Sequence, residues 1–105
     1  MQPTNFQTVV INPLGAESPT VIAKANKYPL RVLVHNVGPV VLFISDNVTD
    51  LVPLTLSAYR VFPDGETAFV VEQFQSLYCL SAAVGGLLSF SSSEALPLED
   101  DNNRS

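Results

Sequence analysis

Few residues in this chain of 105 are of a kind that does chemistry. His35 is its single histidine and Cys79 its single cysteine. A nucleophilic thiolate needs a neighbouring base, and a zinc site needs several nitrogen or sulfur ligands. Neither can be assembled from one residue of each type, and one cysteine forms no intramolecular disulfide. His35, next to Asn36, reads as a strand-end residue making one hydrogen bond. Cys79, within Leu77-Tyr78-Cys79-Leu80, reads as a small apolar strand residue of the sort commonly buried. Asp46, Asp50, Asp64 and Glu66 are the candidate calcium ligands, but the stretch from Asp46 to Asp50 lacks the alternating oxygens of a calcium loop. No two acids stand out as the facing carboxylates of a glycosidase. Asn47-Val48-Thr49 has the spelling of a glycosylation triplet; without a secretory route it reads as ordinary loop chemistry. Tyr28, Tyr59 and Tyr78 suit cores and interfaces alike. No catalytic, metal or cofactor site is predicted, and the chain is expected not to be an enzyme.

Composition narrows the class further. Hydrophobic residues make up 47% of the chain and charged residues 14%, against about 25% charged in an ordinary soluble domain. So little charge beside so much apolar surface predicts association with a partner or with copies of itself. The net charge of −5 is concentrated at the end, where Glu94, Glu99, Asp100 and Asp101 face the single base Arg104. The remainder is near neutral, which argues against nucleic acid and against an anionic membrane surface, since both call for clustered Lys and Arg. The start, MQPTNFQ, has no basic segment followed by an apolar run, so no secretory signal is expected. With no apolar run of membrane-spanning length, the expected setting is a reducing cytoplasm.

The elements that would position any site are strands. Tyr28 to Asp46 reads as the organising stretch: two apolar strands, Leu30–Asn36 and Val40–Asp46, joined as a hairpin at Asn36-Val37-Gly38-Pro39 and covered on both sides. Phe6–Asn12, Thr20–Asn26, Ala58–Phe62, Thr67–Glu72, Leu77–Ala82 and Leu87–Ser92 read as further strands from their β-branched content or period-two alternation. Turn signals separate them, most clearly Pro63-Asp64-Gly65-Glu66, where Gly65 is expected to take the positive φ. Asp46–Ser57 breaks the pattern and reads as a long connection with a short strand around Pro53–Leu56. Seven or eight short strands and no helix predict an all-β fold, an antiparallel β-sandwich or jelly-roll-like domain. Its core is expected to hold Leu30, Val32, Val34, Leu42, Ile44, Phe69, Val71, Leu80, Leu88 and Phe90. The domain spans 1–93, with an N-terminal arm over 1–12; the polar segment from Ser93 on, with the acidic tail over 94–105, is expected to be mobile.

Residues 30–92 also carry a succession of features: His35-Asn36-Val37-Gly38, the turn Phe62-Pro63-Asp64-Gly65-Glu66-Thr67, the strand Leu77-Tyr78-Cys79-Leu80-Ser81-Ala82, and Gly85-Gly86 leading into a Ser-rich strand. This succession resembles small structural proteins of tailed-phage particles, the capsid decoration or cement proteins. The resemblance implies a non-enzymatic virion protein, made in the host cytoplasm, that stabilises the head by multimeric contacts. Its implied partners are the major capsid protein and copies of itself, with a trimer favoured because decoration sites often lie on three-fold positions. The same succession is compatible with a tail or head-fibre component. A small carbohydrate- or receptor-binding β module is the remaining alternative, although the chain has no Trp to stack on sugar rings. Phe6, Val9 and Ile11 on the N-terminal arm are the expected protein-interface residues, docking on a neighbour by strand edge and apolar contact. The competing expectation is that Phe6–Asn12 is an edge strand of its own sheet.

Overall fold

The computed structural model describes residues 6–15, 18–52, 55 and 57–94. Among these residues eight strands follow one another: β1 (Gln7–Val10), β2 (Thr20–Lys24), β3 (Leu30–Asn36), β4 (Leu42–Ser45), β5 (Tyr59–Val61), β6 (Glu66–Val71), β7 (Ser76–Ser81) and β8 (Leu87–Glu94). One 3₁₀ turn, Val48–Asp50, lies between β4 and β5. Among the described residues no helix is long and apolar enough to cross a membrane.

The pairing is nested. β1 pairs with β8, β2 with β7, β3 with β6 and β4 with β5, all antiparallel. The contacts of β3 with β8 and of β4 with β7 then join these ribbons into two four-stranded sheets, β1-β8-β3-β6 and β2-β7-β4-β5. A two-stranded ribbon folded back on itself in this order is a jelly roll, and the two sheets pack face to face as a β-sandwich. Only β4 and β5 are neighbours both in sequence and in space. Every other connection passes from one sheet to the other.

The stretch from Tyr28 to Asp46 is therefore not a hairpin. β3 lies in the first sheet and β4 in the second. Both edges of β3 are taken, by β8 and by β6, so no third strand can pair there. The chain is turned across the end of the sandwich by Asn36, which is fully buried. Its Nδ2 donates to the carbonyls of Val40 and Val61, both at 2.8 Å, and its Oδ1 accepts from the Gly38 N–H at 3.0 Å. Gly38 must be glycine because a Cβ there would lie 2.8 Å from the Leu87 amide nitrogen. The strand also begins at Leu42 instead of Val40.

Alternation places the core. Val32, Val34, Val71, Leu88 and Phe90 of the first sheet meet Ile22, Leu42, Ile44, Val61, Leu77 and Cys79 of the second. Leu30 and Phe69 pack against this core without being fully buried. Leu80 faces the other way, forming a second cluster with Phe43, Leu51 and Ala58. Leu51 and Ala58 come from the connection after β4, so that irregular stretch covers the outer face of the second sheet. This is why β4 is buried on both faces while Arg31 and Leu33 of β3 remain exposed. The short strand expected around Pro53–Leu56 falls on residues largely outside the described ones. In β2 the period-two pattern fails: a register shift between Val21 and Ala23 lets Ile22 and Ala23 both turn inward. At the Phe62–Gly65 turn the positive φ belongs to Asp64, at 67°. Gly65 N–H donates to the Phe62 carbonyl at 2.8 Å, which with Pro63 before Asp64 makes a type II turn. Gly65 is required for another reason: a Cβ would come within 2.9 Å of the Phe62 oxygen.

At the two chain ends, β1 is an edge strand of the first sheet, and β8 continues through Ser93 and Glu94, which pair with Arg31 and Leu30. Those two residues belong to the sheet and not to the tail expected from Ser93 on. Residues 95–105 lie outside the described ones.

Candidate interaction surface

The nested topology sends alternate loops to opposite ends of the sandwich. One end gathers the β1–β2, β3–β4, β5–β6 and β7–β8 connections, and backbone hydrogen bonds tie them together. Ile11 N–H donates to the Gly86 carbonyl (3.0 Å), Leu14 N–H to Ser81 (2.9 Å), Asp64 N–H to Asn36 (2.8 Å), Asn36 N–H to Gly65 (2.9 Å) and Ala82 N–H to Val41 (2.9 Å). Side chains add further ties: Asn12 Nδ2 donates to the Ser18 carbonyl at 3.1 Å, and Ser81 Oγ donates to the Ala83 carbonyl.

Each of these four loops exposes one large apolar side chain: Leu14, Val37, Phe62 and Val84. Phe62 is 62% and Val84 84% exposed. The one charged residue among the described residues of the four loops is Asp64, which lies 3.0 Å from His35 Nε2. That pair is solvent-accessible and contributes little stability. The described residues of these loops thus carry one charge and four apolar tips on a hydrogen-bonded frame. A surface already held in place loses little entropy on docking. Charge lies instead towards the opposite end, with Lys27, Asp46, Asp50 and Glu72, beside two exposed rings, Tyr28 and Phe74.

The outer face of the first sheet carries a shallow depression of about 550 Å³, lined by Phe6, Leu33, His35, Glu66, Ala68 and Ser89 among others. Small side chains on β6 and β8 make its floor. His35 and Glu66 are register partners there, yet the ring's hydrogen bond goes to Asp64.

The remaining candidate chemistry resolves into structure. Asn47 caps the 3₁₀ turn, its Oδ1 accepting from Thr49 N–H (3.0 Å) and Thr49 Oγ1 (2.7 Å). Asp50 accepts from Ser45 Oγ at 2.7 Å. Among the described residues no group of three His, Cys, Asp or Glu is placed to hold a metal ion. Burial pushes the Cys79 thiol up from 9.0 to about 12. A thiolate-selective reagent is therefore expected to label Cys79 only on unfolding, at the rate of global opening. The unfolded thiol ionises above its ordinary value while the folded one does not, so this group's contribution to stability is complete below about pH 9 and falls between 9 and about 12. Denaturation midpoints at pH 7 and pH 10 check it against a Cys79→Ala variant, which should lack this component of the alkaline loss.

Of the three expected interface residues, Ile11 is 1% exposed and belongs to the core, and Val9 packs against it. A residue filling its own core offers no surface to a neighbour. Phe6, 49% exposed, does. The apolar end was not among the sequence expectations. No family model, curated protein or solved structure matches this chain.

Proposed function

We propose that the chain is a non-enzymatic structural protein of a virion, a capsid decoration protein that docks on a shell of major capsid protein through its apolar loop end. The observation that supports this most is the set of exposed Leu14, Val37, Phe62 and Val84 on one hydrogen-bonded end whose described loop residues include a single charge, Asp64. The roll itself carries no function, since capsid, lectin and cupin domains share it. Docking that buries apolar tips and no ion pairs should be almost insensitive to salt. A protein that binds only the assembled shell stabilises it by linkage, and many copies on one lattice gain avidity from modest individual contacts.

The test combines the chain's genomic neighbours with pelleting. Heads assembled from the major capsid protein of the phage that carries the gene should sediment the full-length chain saturably, with the same occupancy in low and high salt. A gene with no virion genes around it, or chain left in the supernatant, contradicts the reading. The exposed Tyr28 and Phe74 at the other end favour one second reading, a small carbohydrate-binding module, because rings free of the core can stack on sugars. Saturable binding on a glycan array would put that reading first.

A further inference from the structure

The sandwich has four edge strands, and three carry a charge: Lys24 on β2, Arg60 on β5 and Glu66 on β6. β2 is further disrupted by its register shift. Charges and bulges are the usual means by which sheet edges avoid pairing with another chain. β1, with Gln7-Thr8-Val9-Val10, has neither. Among the described residues, β8 is its sole strand partner.

The direction of its backbone groups can be read from the ends of the strand. Ile11 N–H points towards β8, to the Gly86 carbonyl, and Asn12 N–H points away from it, to Thr20 Oγ1 at 2.9 Å. Residues alternate in this respect along an antiparallel strand. Thr8 and Val10, with Phe6 just before the strand, therefore direct N–H and C=O to the open edge. Their side chains share the outer face of the sheet, because Val9 between them packs into the core and Phe6 lines the outer depression. Phe6 and Val10 are both exposed, Val10 at 72%.

We propose that this edge takes the β1 of a second copy, antiparallel, about a two-fold axis through Thr8, which joins two four-stranded sheets into one of eight. A two-fold perpendicular to the sheet keeps outer faces on the same side, so only residues of like orientation can be opposite one another. With Thr8 opposite Thr8 of the second copy, Phe6 falls opposite Val10 and Val10 opposite Phe6. All three outward-directed residues then exchange backbone hydrogen bonds, and each exposed apolar side chain covers the other. Shifting the axis to Val9 leaves Phe6 without a partner on β1. The neutral edge puts no like charges together. This inference does not depend on the virion reading, because it concerns the open edge of β1 and not the apolar loop tips.

The experiment is sedimentation of the full-length chain at high micromolar concentration, with paired charge variants at the axis. The unaltered chain should sediment as a dimer. Thr8→Lys and Thr8→Glu, exposed substitutions that leave the core untouched, should each weaken the dimer by about tenfold or more, because like charges become directly opposed. Mixing the two variants should restore dimerisation. In parallel, Thr8→Cys should form a covalent dimer on oxidation, since opposed strand residues lie within disulfide reach, whereas Val21→Cys on β2 should not. A monomer, a trimer, equal association of all variants, or no Thr8→Cys crosslink would each overturn the proposal.

Discussion

Asn36→Ala is expected to lower stability by about 4 kcal/mol, from the loss of three hydrogen bonds, two buried and one partly buried, whose partners stay behind at about 1–3 kcal/mol each when left without a partner. The carbonyls of Val40 and Val61 and the amide of Gly38 would all lose the side chain that satisfies them. For a domain of this size that corresponds to a fall in melting temperature of about 20 °C. Asn12→Ala is the control: Asn12 also ties a loop at this end, through Ser18, but it is exposed, and water replaces its bond for about 1 kcal/mol or less. Urea or thermal denaturation of the two variants checks both values. Equal small losses would mean that the crossing from β3 to β4 is held by something other than Asn36.

The second large effect is on binding. Phe62→Ser combined with Val84→Ser should weaken docking to the shell by about a hundredfold or more, since two apolar side chains at the centre of a contact contribute about 1–2 kcal/mol each or more. Both are mostly solvent-exposed in the free protein, so the melting temperature should stay within a few degrees. Phe74→Ser, at the opposite end, should leave docking unchanged. Retained binding by the double variant, or loss with Phe74→Ser, moves the contact away from the apolar end.

What could be read from the sequence was what depends on near neighbours. Alternation in β3, β6 and β8 identified Val32, Val34, Val71, Leu88 and Phe90 as inward, because a strand's faces are set by a period of two. The Pro63-Asp64-Gly65 turn was legible for the same reason, although with Pro63 at the second position of a type II turn the positive φ falls on Asp64 and not on Gly65. The crossing after Asn36 was not. Asn-x-Gly-Pro specifies a bend, but whether the next strand joins the same sheet depends on β6 and β8 having already filled both edges of β3, and those strands are about thirty to sixty residues away. The bulge in β2 was hidden because Ile22 and Ala23 fit either face by type. The apolar end was invisible for a topological reason. Leu14, Val37, Phe62 and Val84 are isolated along the chain, and a single exposed apolar residue is unexceptional. Only the roll collects them. Phe6, Val9 and Ile11 look equivalent as a list of apolar residues, and it is pairing with β8 that turns Ile11 into the core and leaves Phe6 outside.

Hydrogen exchange of the full-length chain, free and bound to heads, tests the docking surface most directly. Protection on binding should appear at 12–15, 37–41, 62–65 and 82–86 together, four segments brought to one end only by the jelly roll. Protection confined to 26–28 and 73–75, at the charged end, would contradict the account.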